Sequence, residues 1–407
     1  MRKNLLIFFL LISAIGVKAG GYQVNLVGIR YVGMGHIGTA LSIDAGSIFF
    51  NPGALSLIEP KYSFTGGVSG IISKTTFRAQ GTIYEAHTES GITPPFQAFG
   101  SAKVAEKFAI GLGVYTPFGS SVEWDNNWAG KFLIQDISLK SIFFQPTASY
   151  KITDRLGIGA GLVFAYGKVD LKRALPVTSI SGEDGSVRLK GHTFGWGFNA
   201  GVNYKPTDNL KLGLSYRSKV TMDLNGGDAT FNVPASLSSN FPNTQFDVSL
   251  PLPATLSFGI AYDFSEKLLV GIDVNYVFWD AYDSLIFDFE QNTSSLDDSR
   301  NPRLYDNSII VRLGAQYKAS DKFYIRGGVY FDESPVQDQF LNPETPDANR
   351  IGLSAGLSFF PTERLSIDAS FLFTRTSERE GSYSPANFSG IYQTNAYIPG
   401  LGLTYNF

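Results

Sequence analysis

The chain has 407 residues, 43 of them Gly and none Cys, with 17% charged residues, 14% aromatic residues and a formal net charge of −3; mean hydropathy is +0.01. This composition excludes a disulfide scaffold, thiol catalysis and Cys-ligated metals, and it is too apolar for disorder. A polytopic helical membrane protein would need several runs of about 20 apolar residues, and the lack of basic clusters argues against nucleic-acid binding. A Gly- and aromatic-rich β protein remains, either a large soluble one or a membrane barrel.

Arg2 and Lys3 precede an apolar core, Leu5 to Ile15, and Val17-Lys18-Ala19 places small residues where a signal peptidase reads. Residues 1–19 are therefore read as a secretory signal peptide. Cleavage after Ala19 leaves 388 residues starting at Gly20, and loss of Arg2, Lys3 and Lys18 takes the net charge from −3 to −6. The next stretch, 20–57, does not read as a strand. Seven Gly lie between Gly20 and Gly46, and Asn51-Pro52-Gly53 is a turn signal. Its simplest location is inside a barrel lumen, as a hatch or plug.

From residue 58 onward one short pattern recurs. Lys103-Val-Ala-Glu-Lys-Phe108, Lys151-Ile-Thr-Asp-Arg-Leu156, Lys205-Pro-Thr-Asp-Asn-Leu210, Asp263-Phe-Ser-Glu-Lys-Leu268, Lys318-Ala-Ser-Asp-Lys-Phe323 and Phe360-Pro-Thr-Glu-Arg-Leu365 each place an acid before an apolar residue. Their final residues are 48, 54, 58, 55 and 42 apart. Such a period is compatible with propeller blades, but each turn is flanked by long alternating strands, and polar stretches such as 225–250, 283–305 and 334–348 lie between turns. Short turns at one end and long loops at the other mark an outer-membrane barrel. Six turns join twelve strands; one more strand near Lys61–Ser73 and one near Asn395–Phe407 make 14.

Alternation defines two faces. Leu212, Leu214 and Tyr216 alternate with Lys211, Gly213, Ser215 and Arg217; Ile309, Val311 and Leu313 alternate with Arg312 and Gly314; Leu401, Leu403, Tyr405 and Phe407 alternate with Gly402, Thr404 and Asn406. A sandwich core would be poorly filled by a Gly face, whereas a barrel lumen accepts Gly, Ser and ions. The expected fold is thus all-β, a 14-stranded antiparallel transmembrane barrel over 58–407 with its apolar face toward lipid. Tyr150, Tyr204, Tyr262, Tyr317 and Phe359 would form an interfacial girdle. Three His (His36, His87, His192) do not cluster, Asp288, Glu290, Asp297 and Asp298 lack regular metal-ligand spacing, and no nucleophile signature is present. No enzyme activity, metal or cofactor is expected.

Several segments resemble the outer-membrane long-chain fatty-acid transporter family (FadL/TodX-like hydrophobic-compound channels). They are Gly21-Tyr22-Gln23-Val24-Asn25, Gly33-Met34-Gly35, Thr39-Ala40, Asp44-Ala45, Asn51-Pro52-Gly53-Ala54, Trp128-Ala129-Gly130-Lys131-Phe132 and the terminal Leu403-Thr404-Tyr405-Asn406-Phe407. Gly53 stands where the family usually has Ala. The resemblance implies a 14-stranded barrel in the bacterial outer membrane and passive uptake of fatty acids or other hydrophobic small molecules. It further implies extracellular capture, a pocket near the hatch and sideways exit where the third strand kinks. It also implies contact with outer-membrane lipid and recognition of Phe407 by the barrel-assembly machinery. A monomer without nucleic-acid partners is expected. A polar-solute porin and a purely structural barrel are the alternatives.

Site expectations follow from these features. Asn51-Pro52, with Gly53, is expected to pack against Gly111 and Gly113, which face the lumen on the third strand. Exposed apolar residues in loops suggest ligand capture: Phe118, Trp124, Trp128, Phe132 and Leu133 in one loop, and Phe241 in another. A ligand carboxylate in an apolar lumen needs a cation; Arg217, Arg312 and Arg326 are the inward-facing candidates, unless each pairs with a lumen acid such as Asp273 or Asp368.

Overall fold

The computed structural model describes residues 20–407 except 90 and 181; the predicted signal peptide lies outside the described residues. Fourteen antiparallel strands close into one barrel. They are β1 (Tyr62–Ser69, resumed as Ile72–Arg78), β2 (Phe96–Ala105), β3 (Phe108–Tyr115, resumed as Gly119–Glu123), β4 (Asp136–Thr153), β5 (Leu156–Thr178), β6 (Asp184–Tyr204) and β7 (Leu210–Arg217, resumed as Val220–Asn232). The second half comprises β8 (Thr244–Leu252, resumed as Ala254–Asp263), β9 (Leu268–Phe278), β10 (Ser308–Lys318), β11 (Phe323–Asp332), β12 (Arg350–Phe359), β13 (Leu365–Thr376) and β14 (Phe388–Asn406). Each strand pairs with its sequence neighbour. β14 closes the ring on β1, from Ser63 opposite Asn406 to Ser69 opposite Gly400.

All six repeated turns fall between strands, at the end where connections are short. The loop expectation needs one correction. Much of 225–250 is strand: β7 runs on to Asn232 and β8 starts at Thr244. Within 283–305, Ser284–Phe289 pairs with Ser299–Pro302. Beyond the membrane both faces of a strand are wetted, so the apolar/polar alternation that reveals strands disappears although the backbone ladder continues.

Burial separates barrel from sandwich. Phe194 and Trp196 are each 73% exposed and Leu401 is 64% exposed, while Ser63, Gln145, Asn199 and Asn203 are fully buried. The apolar face therefore points outward, where lipid covers it, and the small polar face points inward.

Residues 20–57 fill that interior. Two short helices, α1 (Ile29–Val32) and α2 (Ser47–Phe50), precede a 3₁₀ turn at Pro52–Leu57, and almost all of their residues are buried. Lumen-facing glycines make room for them. A Cβ at Gly213 would collide with the Thr39 carbonyl, one at Gly314 with the Met34 carbonyl and one at Gly157 with the Gly53 carbonyl. Backbone thus approaches backbone across the lumen, which only glycine permits.

Candidate functional site

The hatch is fixed by charge as well as by fit. Arg30 is the only Lys or Arg between residues 20 and 57, and Asp44 the only acid. Arg30 donates from Nε to Asp368 on β13 at 3.1 Å and lies 3.4 Å from Asp44, and its guanidinium also bonds Ser366. Asp273 on β9 accepts the N–H groups of Gly38 and Thr39 at 2.8 and 2.9 Å and the Thr39 hydroxyl at 2.8 Å. The sequence reading missed these anchors. A lone cation and a lone acid in a segment assigned to a lumen must each find a partner, and that signal was available.

The hatch atoms nearest to Gly111 and Gly113 belong to Ile48, not to Asn51-Pro52-Gly53. A Cβ at Gly111 would meet Ile48, and one at Gly113 would meet Phe99 and Ile48. Asn51 instead donates to the carbonyls of Thr39 at 2.7 Å and Val202 at 2.9 Å, while its side-chain oxygen accepts the Gly53 N–H at 3.0 Å. Its neighbours across the lumen are Gly201 on β6 and, for Pro52 and Gly53, Gly159 and Gly157 on β5. The reason is steric. The 3₁₀ turn presents its carbonyls to the wall, and the paired glycines of β5 and β6 leave room for them.

The third strand is interrupted after Tyr115, beside the first residues of the hatch rather than beside Asn51-Pro52. Its pairing with β2 ends at Gln97 opposite Tyr115. Thr116-Pro117-Phe118 follows, and Pro117 has no N–H to offer a neighbour. Beyond it, Gly119–Glu123 still pairs with β4, from Gly119 opposite Lys140 to Glu123 opposite Asp136. On its other side the partner is now the hatch. Val24 donates to the Pro117 carbonyl at 2.8 Å, Gly119 donates to the Tyr22 carbonyl at 3.1 Å, and Gln23 bridges Phe118. At the outer end of β3, Glu89 donates to the Glu123 carbonyl at 2.9 Å and Thr88 bridges Trp124; between there and Tyr115 no ladder to β2 is found among the described residues.

Two cavities meet at Tyr22. The smaller, about 100 Å³, is walled by Phe118, Ile137, Leu171, Met222, Leu250 and Phe287, with Glu344 at one side. The larger, about 380 Å³, is walled by the hatch from Gly21 to Leu26 together with Ser73, Thr75, Ser121, Asp347 and Arg350. It also touches Phe96, whose side chain faces outward, and Ile142 on the outward face of β4. Residues from both faces of the wall therefore border one cavity, at the break in β3. Tyr22 and Phe118 border both cavities. Tyr22 donates its hydroxyl to the Pro251 carbonyl at 2.5 Å and stands edge-on to Trp279, with ring centroids 4.9 Å apart.

The loop residues expected to capture ligand separate into two groups. Trp124 and Trp128 are 3% and 2% exposed, stack with centroids 4.3 Å apart, and donate their indole N–H groups to the carbonyls of Pro343 and Ile134. They form the core of the extracellular cap, so the expectation that they are exposed is corrected: large aromatic rings in a long loop find one another and exclude water. Phe118 is buried as a cavity wall. Phe132 is 40% exposed, and Leu133 and Phe241 are half-buried, Phe241 beside Phe231.

None of the three candidate arginines borders either of these cavities, and none forms an ion pair among the described residues. The acids named as their alternative partners, Asp273 and Asp368, are taken by the hatch. Arg217 donates to the Tyr115 hydroxyl at 2.7 Å and the Phe49 carbonyl at 2.9 Å, and Arg312 donates to Asn275 at 3.0 Å. Both lie around a third space of about 50 Å³, behind Gln23 and Asn25. Arg326 bonds Gln316 and Ser358 near Arg30, under the hatch. The guanidinium that does border the larger cavity is Arg350, 3.5 Å from Asp347.

A closed antiparallel barrel with a lipid-facing apolar surface, a filled lumen and cavities beside the hatch defines an outer-membrane channel. The chain belongs to the family of outer membrane protein transport proteins (OMPP1/FadL/TodX), whose model matches residues 10–407. These are transport channels, not enzymes. The chain is 26% identical to outer membrane protein P1 of Haemophilus influenzae over 100% of this chain and 99% of that one, and 21% identical to a long-chain fatty acid transport protein of Salmonella typhi over 96% and 94%. The crystal structure of a Pseudomonas aeruginosa FadL homologue matches with a TM-score of 0.84 at 21% identity, covering 95% of this chain and 100% of that one. The Ralstonia pickettii toluene transporter TbuX matches with a TM-score of 0.72 at 20% identity, covering 96% and 99%.

Proposed function

We propose that this channel takes up uncharged hydrophobic molecules by diffusion. Ligand would be captured at the outer surface near Phe132, Leu133 and Phe241 and enter the apolar cavity beside Phe118. It would then pass Tyr22 into the larger cavity and leave sideways between β2 and the outer segment of β3, into the membrane. The hatch at 20–57 acts as a plug that blocks the direct path. The observation that carries this reading is the single cavity bordered by Ser73 and Thr75 from inside and by Phe96 and Ile142 from outside. The preference for an uncharged ligand rests on the largely apolar lining of the smaller cavity and on the pairing of the acids beside it: Glu344 lies 2.5 Å from Arg303 and Asp347 3.5 Å from Arg350, with Lys140 and Lys168 also on the border. A long-chain fatty acid is the second reading, favoured by the same Arg350, which could exchange Asp347 for a ligand carboxylate.

Binding of methyl oleate and of oleate to the purified barrel separates the two. The ester is expected to bind at least about tenfold more tightly, a difference of about 1.4 kcal/mol; tighter binding of oleate would favour the fatty-acid reading. The barrel works as a monomer in contact with outer-membrane lipid, and the exposed terminal Phe407, stacked on Tyr62 with centroids 4.9 Å apart, is the residue offered to the barrel-assembly machinery.

A further inference from the structure

Asp332, at the end of β11, is fully buried, and among the described residues neither of its carboxylate oxygens has a hydrogen-bond partner. Leaving an ionisable group so is costly unless a charge answers it. Gly20 is buried directly against it, so close that a Cβ there would collide with both oxygens. The next residue, Gly21, donates its N–H to Asp347 at 3.1 Å. Asp347 also accepts the Ser334 hydroxyl at 2.7 Å and lies 3.5 Å from Arg350. The cations facing Asp332 are Arg350 and Arg312, and Arg312 also faces Asp273. Three buried carboxylates thus share two guanidiniums.

We propose that the α-ammonium of Gly20, created when the signal peptide is removed, is the missing counter-ion of the Asp332–Asp347 nest. Hydrolysis of the Ala19–Gly20 bond by water leaves the new carboxylate on the departing peptide, and the new amine takes up a proton. In the precursor the same nitrogen is a neutral amide with a single N–H. Processing therefore converts a residue that only fits the nest into one that neutralises it, and the first residues of the hatch are locked only in the mature chain. Burial, together with the neighbouring Asp332, pushes the Asp347 carboxyl up to about 7 against the partial offset of Arg350, Ser334 and the Gly21 amide; an ammonium one residue before that amide keeps it ionised. Glycine at position 20 is the residue that reaches the carboxylate without a side chain in the way.

The test is reductive methylation of the mature, full-length barrel near neutral pH, read by mass spectrometry of its N-terminal peptide. The peptide is expected to begin at Gly20. Each unit by which pairing raises the amine's pKa removes about tenfold of its reactive free base. The Gly20 amine should therefore react at least about tenfold more slowly in the wild-type barrel than in an Asp332→Asn barrel, while exposed Lys107 reacts alike in both. A chain with one Ala inserted before Gly20 displaces the ammonium but keeps Asp332, and should label as fast as Asp332→Asn. It also serves if that variant fails to assemble. A mature chain starting elsewhere, an amine that reacts at the same rate in wild type and Asp332→Asn, or an insertion variant as slow as wild type would each overturn the proposal.

Discussion

Replacing Ser121 by Trp is expected to cut uptake of a neutral hydrophobic probe by at least about tenfold, equivalent to a barrier of about 1.4 kcal/mol. Ser121 sits on the outer segment of β3, opposite Ser138 of β4, and borders the larger cavity at the break in that strand. Its side chain points outward, on the same side of the wall as Phe96, so an indole there covers the outer mouth of the cavity through which ligand would leave. The wall itself should be unaffected, because Gly119–Glu123 keeps its ladder to β4. Leu112→Trp is the control. Leu112 is on the same strand but 52% exposed toward lipid, and its replacement should leave uptake unchanged. Uptake by cells carrying each variant, with heat-modifiability of the barrel on gels to confirm folding, measures the difference. Equal uptake by wild type and Ser121→Trp would place the exit elsewhere.

Arg30→Ala is expected to have the largest effect on stability. Its guanidinium serves Asp368 and Asp44, whose side chains are 3% and 2% exposed. Removing one partner of a buried pair leaves an uncompensated charge and costs about 3–5 kcal/mol. The loss falls on the contact between hatch and wall, so the barrel ladder should persist while the hatch loosens. Single barrels in planar bilayers are expected to be nearly silent as wild type and to show stepwise ion conductance as Arg30→Ala, with Arg30→Lys intermediate because a lysine lacks the planar fork. A wild-type barrel that conducts freely would favour the polar-solute porin reading.

The barrel was legible because its signals are local. An acid two residues before an apolar one marks each tight turn, and alternation over ten residues assigns faces without knowledge of partners. The Gly-rich hatch was legible as something other than a strand. What failed required knowing which distant residues meet. Asn51-Pro52 sits on Gly159 and Gly201, and it is Ile48 that lies nearest to Gly111 and Gly113, since the hatch's rotation within the lumen is set by fits spread over many strands. Trp128 is a cap-core residue and not a surface one, since side-chain type in a loop does not reveal what folds over it. Arg217, Arg312 and Arg326 do face inward, but parity gives direction and not depth, and depth keeps them away from the two cavities that meet at Tyr22. Tyr22 was visible only as part of a resemblance; its position between those cavities emerges from the pairing of the hatch with Pro117 and Gly119.

The route itself is tested most directly with a diazirine-bearing neutral hydrophobic probe, photolysed during uptake by cells and mapped residue by residue by mass spectrometry. Lateral exit predicts adducts on Tyr22 and Phe118 between the cavities and on Ser121 and Phe96 at the break in β3, with the Phe96 adduct lost in Ser121→Trp. Adducts that bypass Phe96 and Ser121 and continue to Arg30 and Asp368 beneath the hatch would contradict it.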